Sequence, residues 1–201
     1  NKREIIKAVS AAKRAGLPFF ILGGGSNLLV GDEGYKGLVI KIHNSEFKIQ
    51  KENSKFKVIA GAGTPLSLLV LRSAEDSLSG LEWAIGIPGT LGGAIWGNAG
   101  AFGKSMKNVV KKVEVFDAND LRVKIYNLEN CRFGYRESVF KKNRNLIILS
   151  AVLELKEKNK EDIENEMRKC LSERKKKQPF EFPSAGSIFK NPPPLRALNK
   201  F

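Results

Sequence analysis

Apolar residues recur at helical spacing in three stretches and at strand spacing through much of the rest. Over residues 3–15, Ile5, Val9 and Ala12 fall on one stripe, and Gly16-Leu-Pro18 ends the run. Residues 161–176 repeat the pattern with Ile163, Met167, Cys170 and Leu171 on one face. Lysines crowd the C-terminal end of that stretch, where they complement a helix dipole. A further helix is expected from Thr64-Pro65, read as cap and first-turn proline, to about Asp76, with Leu66, Leu69 and Val70 inward. Strand-type segments are Pro18–Leu22, Leu28–Val30, Gly37–Ile42, Phe47–Gln50, Phe56–Ala60, Val109–Phe116, Leu121–Tyr126 and Leu146–Leu155. Turn residues separate them at Gly31-Asp-Glu-Gly34, Lys51–Ser54 and Gly61-Ala-Gly-Thr64. Meandering strands with inserted helices, and no internal repeat, predict an α+β fold rather than a doubly wound sheet.

Composition narrows the class. A chain of 201 residues with 42% hydrophobic and 28% charged positions suits a globular protein with a real core. No apolar run approaches the roughly 20 residues a membrane span needs, and Asn1-Lys-Arg-Glu4 leads into an amphipathic helix rather than a signal peptide. Cys131, Cys170 and the single His43 make no metal set and no CxxC pair, which favours a reducing, cytoplasmic setting. His43 and Cys131 read as structural. The net charge of +14 suits an anionic partner, from nucleic acid to a phosphorylated small molecule. The lysines are dispersed apart from Arg174-Lys-Lys-Lys177, and no nucleic-acid-binding motif accompanies them.

Two glycine segments interrupt this pattern. Gly86-Ile-Pro-Gly-Thr-Leu-Gly-Gly-Ala-Ile-Trp-Gly-Asn-Ala-Gly-Ala-Phe-Gly103 carries seven glycines in eighteen residues. Glycine weakens helices and strands, so such density belongs where backbone turns sharply or lies against something flat or anionic. The earlier segment, Phe19-Phe-Ile-Leu-Gly-Gly-Gly-Ser-Asn27, is an apolar strand running into a loop. It lacks the third small residue of the dinucleotide fingerprint, because Leu28 stands there, and no Gly-Lys-Ser/Thr of a P-loop follows. Consecutive amides of Gly23, Gly24 and Gly25, with the side chains of Ser26 and Asn27, can still cup an anion such as pyrophosphate. A run of tight turns in a sheet protein is the plainer reading of the same residues.

The ordered combination is more specific. The loop GGGSN after a strand is followed by Gly86–Ala94 with Asn98-Ala-Gly-Ala-Phe-Gly103. Cys131-Arg-Phe-Gly-Tyr-Arg-Glu-Ser138 and Ala185-Gly-Ser-Ile-Phe-Lys-Asn-Pro192 come next. In that order these motifs resemble the UDP-N-acetylenolpyruvoylglucosamine reductase family, over nearly the whole chain to about Pro192. The resemblance implies a two-subdomain FAD-binding fold of the vanillyl-alcohol-oxidase/PCMH type, with only the beginning of a substrate-binding domain. It divides the chain into residues 1–43 and 44–178 for the FAD subdomains and 179–201 for that beginning. The implied reaction is NADPH-driven reduction of a UDP-sugar enolpyruvyl ether to UDP-N-acetylmuramate in peptidoglycan synthesis, by a cytoplasmic monomer without nucleic-acid or membrane partners.

By the same resemblance, Gly23 to Asn27 hold the FAD pyrophosphate, and Pro88, Gly89, Thr90, Gly93, Ala94 and Gly100 line the cofactor. Hydride arriving at an enolpyruvyl ether pushes charge onto its carboxylate, which a planar guanidinium stabilises with paired donors; Arg136 stands at the family's position for it. The carbanion next to that carboxylate needs a proton, and Ser187 matches the family's donor. Lys177 and Asn191 match positions contacting the UDP-sugar. Taken without the motif, Arg136 reads as an ion-pair partner, Ser187 as a turn residue and Lys177 as solvated. The family's glutamate partner of the arginine lies further along, and Pro192–Phe201 does not read like the family's continuation. A flavin oxidase of the same fold and a basic nucleic-acid-binding module stand as alternatives.

Overall fold

The computed structural model describes residues 1–52, 55–178, 186–187 and 189–192. It opens with α1, Lys2–Arg14, whose start is fixed by a capping box: the Asn1 side chain accepts from Glu4 N–H and the Glu4 carboxylate returns to Asn1. The inward stripe is Ile5, Val9 and Ala12, as the spacing predicts. Strands β1, Phe19–Leu22, and β2, Leu38–Lys41, follow and pair in parallel. The segment Leu28–Val30, expected as a strand between them, forms none: Leu29 is 93% exposed and this stretch is a loop. Its apolar run promised burial, yet Leu28 and Val30 also stand exposed, at 45% and 57%.

The larger sheet comprises β3, Phe47–Glu52, and β4, Lys55–Gly61, then β8, Val110–Asp117, β9, Arg122–Asn127, and β10, Leu146–Glu157, with β5, Leu78–Ser79, pairing the end of β10. Its order is β3-β4-β10-β8-β9, all antiparallel. The central place of β10 explains its sequence, because a strand covered on both faces reads as a continuous apolar run rather than an alternating one. Eight of its first ten residues, Leu146-Ile-Ile-Leu-Ser-Ala-Val-Leu-Glu-Leu155, are apolar, the exceptions being Ser150 and Glu154, and the first six are all buried. β9, at an edge, alternates exposed with half-buried positions and carries Arg122 and Lys124.

Helix α2, Leu66–Glu75, begins after Pro65, which itself occupies the cap position. Thr64, expected as the cap, is fully buried and donates instead to the Glu46 carbonyl, 3.4 Å away. Helix α3, Leu91–Trp96, lies inside the second glycine segment, followed by a small hairpin of β6, Gly100–Ala101, and β7, Lys104–Ser105. A single turn of helix, α4, Val139–Lys142, precedes β10, and α5, Lys160–Lys177, closes the described fold with Ile163 and Cys170 buried. One continuous core joins Ile5, Val9, Ile40 and Ile42 of the first unit to the large sheet, with Trp83, Phe116 and Phe140 fully enclosed. Burying a phenylalanine of this kind contributes about 2 kcal/mol.

Between Ile148 and Ser150 the pairing of β10 with β8 slips, leaving Leu149 as a bulge. Its carbonyl accepts from Ala62 N–H at 2.9 Å and from the Asn44 amide at 2.7 Å. The Ala62 carbonyl in turn accepts from Gly92 N–H at 2.8 Å. A methyl group on Gly92 would lie 2.9 Å from the Ala62 Cβ, so only glycine lets α3 sit this close to the end of β4. The centre of the sheet thus sets the position of the second glycine segment.

The two units are also tied by charge. Lys2 on α1 pairs with Glu114 on β8, and the Ser150 hydroxyl donates to the same carboxylate oxygen at 2.5 Å. Burial pushes the Glu114 carboxyl up, but the bonds from Lys2 and Ser150 and the charge of Lys2 outweigh it, so the group lies below its usual range. A depressed carboxyl stabilises the fold above its unfolded value, about pH 4.3, and the contribution is lost as pH falls through the folded value. Glu114→Gln is therefore expected to lower the thermal midpoint at pH 7, with the gap to the wild type closing near pH 3. A gap of equal size at both pH values would assign the effect to shape rather than charge.

Candidate functional site

At the C-terminal end of β1 the chain enters Gly23-Gly-Gly-Ser-Asn27, exposed from Gly24 onward. Among the described residues, none of the five amides from Gly23 to Asn27 donates to a partner in the protein. Backbone N–H groups left open in this way form a nest for an anion. The second segment closes on the first. A Cβ on Gly24 would meet the Gly89 Cα at 2.9 Å, one on Gly89 would meet the Ser26 hydroxyl at 2.8 Å, and one on Gly23 would meet the Thr90 hydroxyl at 2.7 Å. Gly89 also has φ of +106°, a conformation that side chains avoid. The two loops are in backbone contact, and the contact exists because three glycines have no side chains.

Thr90 caps α3 by accepting from Gly93 N–H at 3.5 Å, and Leu91 N–H donates back to the Thr64 carbonyl at 2.9 Å. Gly93 is exposed while Ala94 is buried against the core. Gly100 has a local reason of its own: a Cβ there would lie 2.6 Å from the Lys104 carbonyl across the β6–β7 hairpin. The open amides and bare backbone of residues 23–27 and 88–94 fit an elongated, phosphate-bearing planar group such as FAD, which needs donors for its diphosphate and flat, side-chain-free backbone for its ring.

Arg136 sits at the tip of a tight turn. Gly134 and Glu137 exchange backbone hydrogen bonds, 3.0 and 3.2 Å, and Arg136 has φ of +55°. The turn is fastened to the second glycine segment at three points. The Asn98 side chain donates to the Gly134 carbonyl at 2.7 Å while accepting from Lys107 N–H. The Ser138 hydroxyl donates to the Trp96 carbonyl at 2.6 Å. Lys141 donates to the Arg136 carbonyl at 3.0 Å with its ammonium over the Trp96 ring. The guanidinium itself rests 5.6 Å from the Tyr135 ring centroid.

Ser187 and Asn191 are both exposed, and Gly186 before them has φ of +75°. Lys190, between them, forms an ion pair with Glu137, which docks this segment beside the Arg136 turn. The hydrogen bond from Lys190 holds the Glu137 carboxyl below its usual range. Lys177 is engaged on its own helix, 3.4 Å from Glu173, and is 72% exposed. Cys131 is fully buried and its thiol is pushed up to about 12 by burial, which makes it a packing residue. His43 is exposed. Sequence reasoning named Trp96, Asn98, Ser138 and Lys190 within motifs but gave them no task, and it passed over Lys141. Their partners stand 36 to 53 positions away, beyond the reach of local spacing. Among the described residues no helix is long and apolar enough to cross a membrane, and no cluster could hold a metal ion.

The FAD binding domain family matches residues 1–125. The chain is 42% identical over 193 residues to the UDP-N-acetylenolpyruvoylglucosamine reductase of Caldanaerobacter subterraneus subsp. tengcongensis, an alignment covering 96% of this chain and 62% of that protein. The Solibacter usitatus protein of the same name is 38% identical, with 98% and 64% covered. The crystal structure of UDP-N-acetylenolpyruvylglucosamine reductase from Thermus caldophilus superposes with a TM-score of 0.77 at 37% identity, over 96% of this chain and 66% of that one. Cholesterol oxidase from Brevibacterium sterolicum, 14% identical with a TM-score of 0.58 over 78% of this chain and 33% of its own, shares the fold alone. The chain spans about three fifths of the length of the curated relatives it matches. The α+β FAD-binding fold expected from the sequence is the one present.

Proposed function

Because this chain belongs to the FAD binding domain family, we propose that it is the cofactor-holding part of a UDP-N-acetylenolpyruvoylglucosamine reductase, acting in the cytoplasmic stage of peptidoglycan synthesis. The observation that carries this reading is the junction of the two glycine loops, with open amides on one side and the Arg136 turn fastened to the other. Gly23, Gly24, Gly25, Ser26 and Asn27 hold the diphosphate of FAD, and Pro88 to Ala94 lie along its ring and ribityl chain. Bound FAD supplies the capacity to take hydride from NADPH and pass it to an enolpyruvyl double bond.

The protein's own residues do the rest. Arg136 pairs with the substrate carboxylate and stabilises the charge that collects there, as a fixed guanidinium does in a partly desolvated site. Ser187 delivers the proton to the carbon beside that carboxylate. Lys177 and Asn191 take the UDP-sugar, which requires Lys177 to exchange its helix partner Glu173 for a diphosphate. The Lys190–Glu137 pair keeps the serine segment next to the arginine turn.

The test is spectroscopic. The purified protein is expected to bind FAD with flavin absorbance bands, to be bleached by NADPH without oxygen, and to recover its colour with UDP-N-acetylglucosamine enolpyruvate. Protein that binds no flavin, or that recovers its colour only with oxygen, would overturn the assignment, the second outcome pointing to an oxidase.

A further inference from the structure

Helix α4 ends in two adjacent lysines that are placed differently: Lys142 is exposed and Lys141 is half-buried. The helix dipole favours both, so it does not explain why one of them turns inward. Among the described residues no carboxylate lies within ion-pair distance of the Lys141 ammonium. Its contacts are the Arg136 carbonyl at 3.0 Å and the Trp96 ring, whose centroid is 5.4 Å away. Holding so long a side chain in one place costs rotamer entropy, and what the fold gains is a fixed position. The Arg136 carbonyl belongs to the same peptide plane as the Glu137 N–H, which donates to the Gly134 carbonyl at 3.2 Å. That plane is therefore held at both ends, by Gly134 and by Lys141. The Gly134 carbonyl is itself held by the Asn98 amide at 2.7 Å, and the Lys141 N–H donates to the Ser138 hydroxyl at 3.2 Å. Arg136 needs the restraint. It stands third in the four-residue turn from Gly134 to Glu137, where its φ of +55° is one that residues other than glycine rarely take.

We infer that Lys141 is a positioning residue for the reduction of the substrate, acting through the backbone of Arg136 to aim its guanidinium at the carboxylate where charge collects. The inference rests on the role proposed above for Arg136. The arginine side chain is fixed at its root by the held peptide plane and near its tip by the Tyr135 ring, 5.6 Å from the guanidinium carbon. Without the Lys141 ammonium one end of the plane is released, and rotation about the Arg136 Cα–C bond shifts the root of the side chain. A displacement of about 1 Å in such a group costs about 100-fold in rate.

The experiment separates the inference from the reading it rests on. Wild-type protein whose colour the enolpyruvyl ether does not restore after bleaching sinks that reading, and this inference with it. With recovery established, Lys141→Met is expected to slow it about 10- to 100-fold, the range of a lost charge-assisted bond, while bleaching by NADPH keeps its rate. In an Arg136→Ala background the same substitution is expected to change recovery less than about twofold, because the group it positions is gone. Lys141→Arg, which still donates to the carbonyl and stacks on Trp96, is expected to regain most of the rate. In the apoprotein, hydrogen exchange of the Glu137 amide, followed by NMR, is expected to quicken about 10-fold in Lys141→Met. Recovery at the wild-type rate, equal losses in the two half-reactions, an undiminished loss in the Arg136→Ala background, or unchanged exchange of that amide overturns the inference. Should Lys141→Met fail to fold, Trp96→Leu decides, since it removes the ring under the ammonium and keeps the backbone carbonyl that Ser138 uses. The same selective, Arg136-dependent loss is expected there, and recovery at the wild-type rate overturns the inference.

Discussion

Replacing Ser187 by alanine is expected to leave bleaching of the flavin by NADPH at its normal rate and to slow recovery by the enolpyruvyl substrate about 100- to 10,000-fold, the range over which a positioned proton donor acts. The two half-reactions part because the serine is asked for a proton only when the substrate carbon has become strongly basic. An exposed hydroxyl after a glycine at φ of +75° has little structural work to lose, so the variant is expected to fold normally. The Lys190–Glu137 pair, which keeps the segment at the arginine turn, is untouched by the change. Stopped-flow absorbance reads both halves on one sample. Recovery at the wild-type rate would remove Ser187 from the chemistry and leave Arg136 without its partner.

The second large effect belongs to the loop junction. A methyl group on Gly24 would press on the Gly89 Cα at 2.9 Å, and backbone there cannot swing aside as a flexible side chain would. Overpacking of this kind costs about 1 to 3 kcal/mol. Because the contact lies at the surface, between two loops and away from the core, that cost falls on the cleft. Gly24→Ala is expected to weaken FAD binding about 100-fold, equivalent to about 2.7 kcal/mol, while circular dichroism and the apoprotein melt stay near wild type. Gly16, where a Cβ meets nothing within 4 Å but φ is +64°, is the control: alanine there strains a turn without touching the cleft. Equal FAD affinity in wild type and Gly24→Ala would mean that the loops do not need to meet in order to bind.

What could be read in advance followed from periodicity. The helices α1 and α5 and the strands β8, β9 and β10 fall within two residues of the positions their apolar patterns predict, because each keeps a helical or strand period that matches the face it turns to the core, only half-buried in β9. The failures share a cause in contacts between distant parts of the chain. Leu28–Val30 is apolar enough to promise a strand, yet β1 takes β2 as its partner in parallel, a pairing that local sequence does not encode. Helix α3 runs through Gly92 and Gly93 against their propensity, held by bonds from Leu91 and Gly92 to Thr64 and Ala62. Thr64 looks like a cap but is consumed by the sheet. Of the site, the two glycine loops were legible because their composition is so unusual. The fastening of the Arg136 turn by Asn98, Ser138 and Lys141 depends on residues brought together only by the finished fold.

The bulge at Leu149 also bears on how the molecule comes to be assembled. Asn44 and Leu149 are 105 positions apart, and Ala62 is bonded to the same carbonyl. Closing so wide a loop is entropically slow, and contacts of this separation delay folding in general. On the ribosome the glycine loops emerge first, but the strand that seats them is among the last parts of the described chain to leave the exit tunnel. A nascent chain therefore cannot seat its two glycine loops together until synthesis has passed β10.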